Sequence, residues 1–127
     1  MLLDTNVLVR HFTGEPEDQA RRAAAFLRGA QRLGLPHLIV AEVVYVLESV
    51  YDRPRTEVAA LVRSVLAHPP VAVDAEDLVL RALEVYETDP IDFAEAYLAA
   101  CAEALDGVVV SFDRGLDKVR TVRRLEP

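Results

Sequence analysis

Five acids stand where short apolar runs meet longer segments. Asp4 follows Leu2 and Leu3, Glu42 follows LIVA, Asp92 and Glu95 open DFAEAYLAACAEAL, and Asp113 follows VVVSF. Residues three apart are separated by about 60° around a helix, so Asp92 and Glu95 can face one point. Carboxylates brought together repel, so either some keep a proton or a cation binds among them. All-oxygen ligands select hard cations, and Mg²⁺ takes one or two carboxylates alongside waters and phosphate oxygens. A metal held this way polarises a phosphoryl oxygen and activates water for in-line attack. The chemistry this constellation suggests is phosphodiester hydrolysis.

Each acid also has a purely structural reading. Asp4 can cap a following helix, with Thr5 as the competing cap. Asp92 and Glu95 fit a D-x-x-E capping box. Asp89 before Pro90 is an equally good cap, since proline suits the first helical position, and it would release Asp92 and Glu95 for other work. Asp113, ahead of Arg114 and Gly115, suits a turn. Glu42 is flanked by Ala41, Val43, Val44 and Val46, so it is expected to be partly buried, where an unpaired charge is costly.

The elements that must position these acids alternate. Apolar runs at 2–4, 35–40, 71–73, 108–112 and 122–125 read as strands. Helical patterns occupy 6–11, 17–33, 41–51, 55–67, 75–86 and 93–105, with a short one near 114–119. Gly14, Gly34, Pro54, Pro69, Pro70, Pro90 and Gly107 mark the breaks. Strands apolar throughout imply a sheet covered on both faces. The alternation predicts an α/β fold, a three-layer α/β/α sandwich around a central parallel sheet. In such sheets ligands gather beyond the carboxyl ends of the strands, where Asp4 and Asp113 stand.

Composition sets the bounds. The 127 residues suit one domain, 1–127, and 52% apolar with 28% charged suits a globular protein. No apolar run approaches the roughly 20 residues of a membrane span, and no secretory signal pattern is present. Cys101 is the single cysteine, which fits a reducing cytoplasm, and its spacing with Ala94, Tyr97, Leu98 and Leu105 predicts a core position. His11, His37 and His68 lack the spacing of a zinc site. Glu48, Glu84 and Glu103 read as solvated helix faces, and lining the rim of the site is the minor reading for Asp117. Net charge is −7, yet it is uneven: Arg81 is the one basic residue between Asp74 and Asp113, while 21–32 and 114–124 are basic. An acidic centre with basic flanks suits a cation site whose rim meets anions.

The segments LDTNVLV, AEVVYVLE, DFAEAYLAACA and SFDRGLDKV, in this order, resemble the PIN-domain family over essentially the whole chain. The likeness is to the small bacterial members, best known as the VapC toxins of toxin–antitoxin pairs. The resemblance implies a Mg²⁺- or Mn²⁺-dependent endoribonuclease. It makes Asp4 the first metal ligand and Glu42 an acid that positions water or metal. Glu95 is the third acid, where an aspartate is usual, and Asp92 an additional one a turn earlier. Asp113 is the fourth, with Asp4, Asp92, Glu95 and Asp113 as the metal set. Ser111 would orient the acids, and Asn6 would support Asp4 through a side-chain hydrogen bond. The extra methylene of Glu95 can shift metal duty to Asp92. In the resembling proteins dimers are common, and an antitoxin blocks the site with an inserted peptide, often through an arginine. The implied partners are therefore RNA, a second copy and an antitoxin protein, with no membrane.

Two other functions compete. A phosphatase or phosphotransferase using Asp4 as nucleophile shares the sheet and the metal. It usually has a second aspartate two residues on, where this chain has Asn6, or a lysine after a late strand, where it has Ser111, Phe112 and Asp113. A PIN fold kept as a binding module is favoured by Glu95 and by the low net basicity.

Overall fold

The computed structural model describes all 127 residues, Met1–Pro127. The chain divides into two compact units, Met1–Asp74 and Ala75–Pro127. The first holds α1 (Thr5–Thr13), α2 (Glu17–Gly29), β1 (Leu33–Leu35), α3 (His37–Ser49), α4 (Arg55–Leu66) and β2 (Val71–Val73). The second holds α5 (Glu76–Thr88), α6 (Phe93–Glu103), β3 (Val108–Val110), a 3-10 turn at Arg114–Lys118 and β4 (Arg123–Leu125). Strands are short and pair in parallel, β1 with β2 and β3 with β4. The class is mixed α/β, as the alternation predicted. No helix is long and apolar enough to cross a membrane.

In the first unit Leu2 bridges Gly34 in parallel, on the edge of β1 away from β2. Leu3 N–H donates to the Gly34 carbonyl (2.9 Å), and Gly34 N–H to that of Met1 (2.8 Å). Gly34, expected as a helix stop, instead lies inside β1. A Cβ there would come within 2.7 Å of Leu2 Cδ2, the end of an exposed side chain that can turn away, and 3.6 Å from the Met1 carbonyl oxygen, so the backbone pairing itself leaves room for a side chain. The helix expected to reach residue 33 accordingly ends at Gly29.

The run at 35–40 is the largest departure. It is a strand only to Leu35, and α3 begins at His37. Val40, Val43, Val44 and Leu47 are buried at helical spacing, so Leu38, Ile39 and Val40 start a helix rather than end a strand. A short apolar run cannot by itself separate the two.

In the second unit α5 packs on α6 through Val79, Ala82, Leu83 and Tyr86 against Phe93, Ala96, Ala99 and Ala100. The alanines let the helix axes approach, and Tyr86 meets Phe93 edge-on at 6.1 Å. The stripe through Ala94, Leu98 and Leu105 is therefore the outer face of this segment, and Cys101 is half-buried rather than core. Arg81 forks onto Glu103 (2.8 and 3.0 Å), which also accepts the Thr121 hydroxyl, and Arg81 bonds Glu84 (3.0 Å) as well. Glu84 and Glu103 thus hold an arginine instead of simply facing water. Ala102, Val109, Leu116 and Val122 form a small cluster behind β3. β3 buries Val109 but leaves Val110 61% exposed, so this strand is not covered on both faces as expected.

Leu47 is completely buried in α3. Truncating it, Leu47→Ala, should cost about 2–5 kcal/mol, read as a lower urea midpoint with unchanged slope. A loss below about 0.5 kcal/mol, the scale of a surface change, would contradict this packing.

Candidate acidic site

Helix starts expose amide N–H groups that need acceptors. At several helix starts of this chain a carboxylate supplies one. Asp4 is the N-cap of α1, its Oδ1 accepting the Thr5 N–H at 2.8 Å. Asp92 is the N-cap of α6, its Oδ1 accepting the Glu95 N–H at 2.8 Å, and Glu95 Oε2 reaches back to the Asp92 N–H at 3.4 Å. This is a complete capping box. Asp89 does not cap α6: it ends α5, its N–H donating to the Val85 carbonyl. The release of Asp92 and Glu95 that an Asp89 cap would have allowed does not occur.

In the first unit Thr5 joins two candidate acids. Its amide donates to Asp4, and its buried hydroxyl donates to Glu42 Oε2 at 2.6 Å. Sequence reasoning treated Thr5 only as a competing cap; its role needs the packing of α1 on α3 to be seen. Glu42 is exposed, not partly buried as expected. It shares an outward stripe of α3 with Leu38, Tyr45 and Ser49, opposite the apolar face. Asn6 makes no hydrogen bond to Asp4; it borders a groove with Arg10, Gln19 and Arg22.

The same unit contains a pair that the sequence reading passed over. Asp74 directly follows β2 and accepts both the His37 N–H (2.7 Å) and His37 Nδ1 (2.5 Å). These bonds cap α3 from a distance and hold the Asp74 carboxyl below the ordinary aspartate range. The strand-end rule applied to Val71–Val73 points to Asp74. Its partner, 37 residues away, is visible only in the fold.

In the second unit Asp113 ends the β3 segment and caps the 3-10 turn, Oδ1 accepting the Gly115 N–H at 2.8 Å. Its own N–H donates to Ser111 Oγ at 2.9 Å, so Ser111 does hold this acid's backbone. Asp117 is taken up by Arg124 (2.8 and 3.2 Å), which also donates to the Ser111 carbonyl. Glu95, half-buried, comes within hydrogen-bonding reach of Asp113. A Cβ on Gly115 would stand 3.1 Å from Asp113 Oδ1 and 3.9 Å from Glu95 Oε1, so both oxygens face the space glycine leaves open.

The structure thus joins Glu95 to Asp113, Glu95 to Asp92, and Thr5 to both Asp4 and Glu42. It does not gather three or more His, Cys, Asp or Glu side chains into a metal-holding group. The donor chemistry nonetheless suits a hard divalent ion. Two carboxyls in contact require either a shared proton or a cation, and oxygens of both stand beside Gly115.

The contact shifts the titration of the two carboxyls in opposite directions. Its hydrogen bond to Asp113 raises the Glu95 pKa, with burial and the Asp92 charge adding to the rise. The same bond lowers that of Asp113, helped by the Gly115 N–H. The raised Glu95 contributes stability that is complete below its unfolded value and lost as pH climbs through its folded value. The lowered Asp113 contributes stability present above its unfolded value and lost as pH falls through its folded one. Without divalent metal, the contribution of Glu95 to the melting temperature should therefore decline as pH rises past the ordinary glutamate value of about 4.3. Glu95→Gln should flatten that decline in thermal melts run in EDTA. Equal slopes in both proteins would show that the two carboxyls do not share a proton.

Comparison with known proteins now bears on this geometry. A family model described as PIN domain matches residues 1–122. No curated protein matches the chain. PIN domains are typically nucleases that act on nucleic acids and generally use divalent metals, which at that level makes a hydrolase of the nuclease kind. With strand-end acids held at both Asp4 and Asp113 and the match running through both units, the chain belongs to the PIN domain family.

Proposed function

We propose that the protein is a Mg²⁺- or Mn²⁺-dependent endoribonuclease that hydrolyses RNA phosphodiester bonds. The observation that carries the proposal is the Glu95–Asp113 pair over Gly115, two carboxyls that share what a cation would otherwise neutralise. The acids proposed to serve the reaction are Asp4 and Glu42 in the first unit and Asp92, Glu95 and Asp113 in the second. Of these, Asp4, Asp92, Glu95 and Asp113 would hold the metal. A bound divalent cation supplies Lewis-acid polarisation of the phosphoryl group and neutralises its developing charge.

The chain's own residues orient the acids. The Thr5 hydroxyl fixes Glu42, the Asp92 cap fixes the backbone that carries Glu95, and the Gly115 amide fixes Asp113. Each of the three aspartates uses Oδ1 for its cap. Bare carboxylates repel phosphate, so RNA is drawn by the basic segments that include Arg21, Arg22 and Arg32 in the first unit and Arg114, Lys118 and Arg120 in the second. Binding should weaken with salt.

Finer proposals rest on the resemblance to VapC toxins. A toxin role implies an antitoxin whose arginine would meet the acid pair through charge-assisted hydrogen bonds. A homodimer is supported by Leu38 and Tyr45, 72% and 67% exposed on α3. The match across both units supports one domain, and a lone cysteine supports a cytoplasmic location. A second reading, a PIN fold kept as a binding module, is favoured by the capping box that engages Asp92 and Glu95.

Asparagine caps a helix as well as aspartate does, so Asp4→Asn and Asp92→Asn remove charge while keeping the fold, whereas Asp92→Ala should cost about 1 kcal/mol. With a pool of structured RNA, the wild type should cut in Mn²⁺ and not in EDTA. Asp4→Asn and Asp113→Asn should lose at least about 100-fold. Sequencing the new ends would name the substrate. Equal cutting in EDTA would contradict the proposal; no cutting in Mn²⁺, with RNA still bound, would establish the binding module.

A further inference from the structure

Away from the acids, the first unit has a cavity of about 290 Å³ with an unusual electrostatic character. His11 of α1, Arg28 of α2, Ser64 of α4 and His68 border it, over a floor that includes Leu27 and Val65. Three of the four polar residues are cationic or can become so, and no carboxylate lines the cavity. In a chain of net charge −7 with 21 acids, that grouping is not what solvation of a surface requires. Arg28 makes no ion pair, whereas Arg53, Arg81 and Arg124 do.

We propose that this cavity is a binding site for a phosphate group, with Arg28, His11 and His68 as its donors. The volume lies at the lower end of ligand sites, which suits a phosphate with an attached sugar rather than a larger ligand. Arginine offers a planar fork of N–H donors matched to two phosphate oxygens. His68 is already oriented. Its Nε2 stands 2.8 Å from the Leu27 carbonyl, and because a carbonyl only accepts, Nε2 carries the hydrogen. Nδ1 is then the nitrogen that gains an N–H when the ring takes a proton. His11 is braced by its tilted contact with Phe12, ring centroids 5.5 Å apart. The Ser64 hydroxyl donates to the Leu61 carbonyl at 2.6 Å and forms a polar wall.

The charges facing His11 are Arg28 from α2 and His68 beyond α4. Burial first, and then these two positive neighbours, hold the His11 pKa below the usual histidine value. A bound oxyanion would reverse the repulsion, so binding should draw a proton onto the imidazole. Affinity should therefore rise as pH falls. The site is independent of the nuclease reading, since it shares none of the acids.

The test uses the full chain in EDTA and titration calorimetry with sulfate, which stays dianionic across the range in which histidine titrates. Sulfate should bind one per chain and more tightly at about pH 5.5 than at about pH 8. Arg28→Gln should weaken it about tenfold or more, and His11→Gln should remove much of the pH dependence. Arg53→Gln, in the first unit but outside the cavity, should change nothing. Two further probes identify the source of the phosphate. A nucleoside 5′-monophosphate that binds while a dinucleotide with a 5′-hydroxyl does not assigns the site to phosphomonoesters; binding of both assigns it to the RNA backbone. Failure of sulfate and both phosphate probes to bind, or binding that Arg28→Gln leaves intact, would overturn the proposal.

Discussion

A peptide N–H at the start of a helix must find an acceptor, and at four helix starts of this fold a carboxylate is that acceptor. It is Asp4 for α1, Asp74 for α3, Asp92 for α6 and Asp113 for the 3-10 turn. The bond is favoured by charge, because the positive end of the helix dipole lies there. It also holds the acid in place, since each capping carboxylate is fixed through one oxygen to rigid backbone. Capping and reactivity are thus not rival explanations for these residues. The cap supplies the positional precision that a metal-holding group would otherwise have to obtain from additional side chains.

What the caps position, the cores support. In the first unit, Leu47 and its buried neighbours on α3 fix the helix whose outward face carries Glu42, and Thr5 links that face to Asp4. In the second, the alanine-rich contact of α6 with α5 sets Glu95 at the start of α6, while the Ala102, Val109 and Leu116 cluster sets the strand that ends near Asp113. Glu95 and Asp113 are then close enough to share a proton. Two carboxyls in contact are unfavourable when both are ionised, which makes the pair a candidate for chemistry.

The parts of this arrangement that depend on local signals were legible in the sequence. Apolar runs ending in acids identified Asp4 and Asp113, and the D-x-x-E spacing identified the capping box of Asp92 and Glu95. Contacts between distant segments were not legible. Thr5 reaches Glu42 across 37 residues, and His37 reaches Asp74 across the same separation. Periodicity also failed where a run was too short to have a period: residues 38–40 suit a strand or a helix equally, and only the burial of Val43, Val44 and Leu47 decides. Spacing misled at α6, where bulky Leu98, and Leu105 just beyond the helix, face outward and small alanines form the packed face. The exposure of Glu42 was missed for a related reason, because apolar neighbours in sequence do not share a helix face.

On the proposed function, a divalent cation takes the place of the proton shared by Glu95 and Asp113. Mn²⁺ titration by calorimetry, repeated in buffers of different ionisation enthalpy, counts the protons released on binding. At a pH where the pair still holds its proton, the wild type should release protons as Mn²⁺ binds, and Asp113→Asn should bind Mn²⁺ at least about 10-fold more weakly. Mn²⁺ binding that releases no proton and is unaffected by Asp113→Asn would show that the pair is not the metal site.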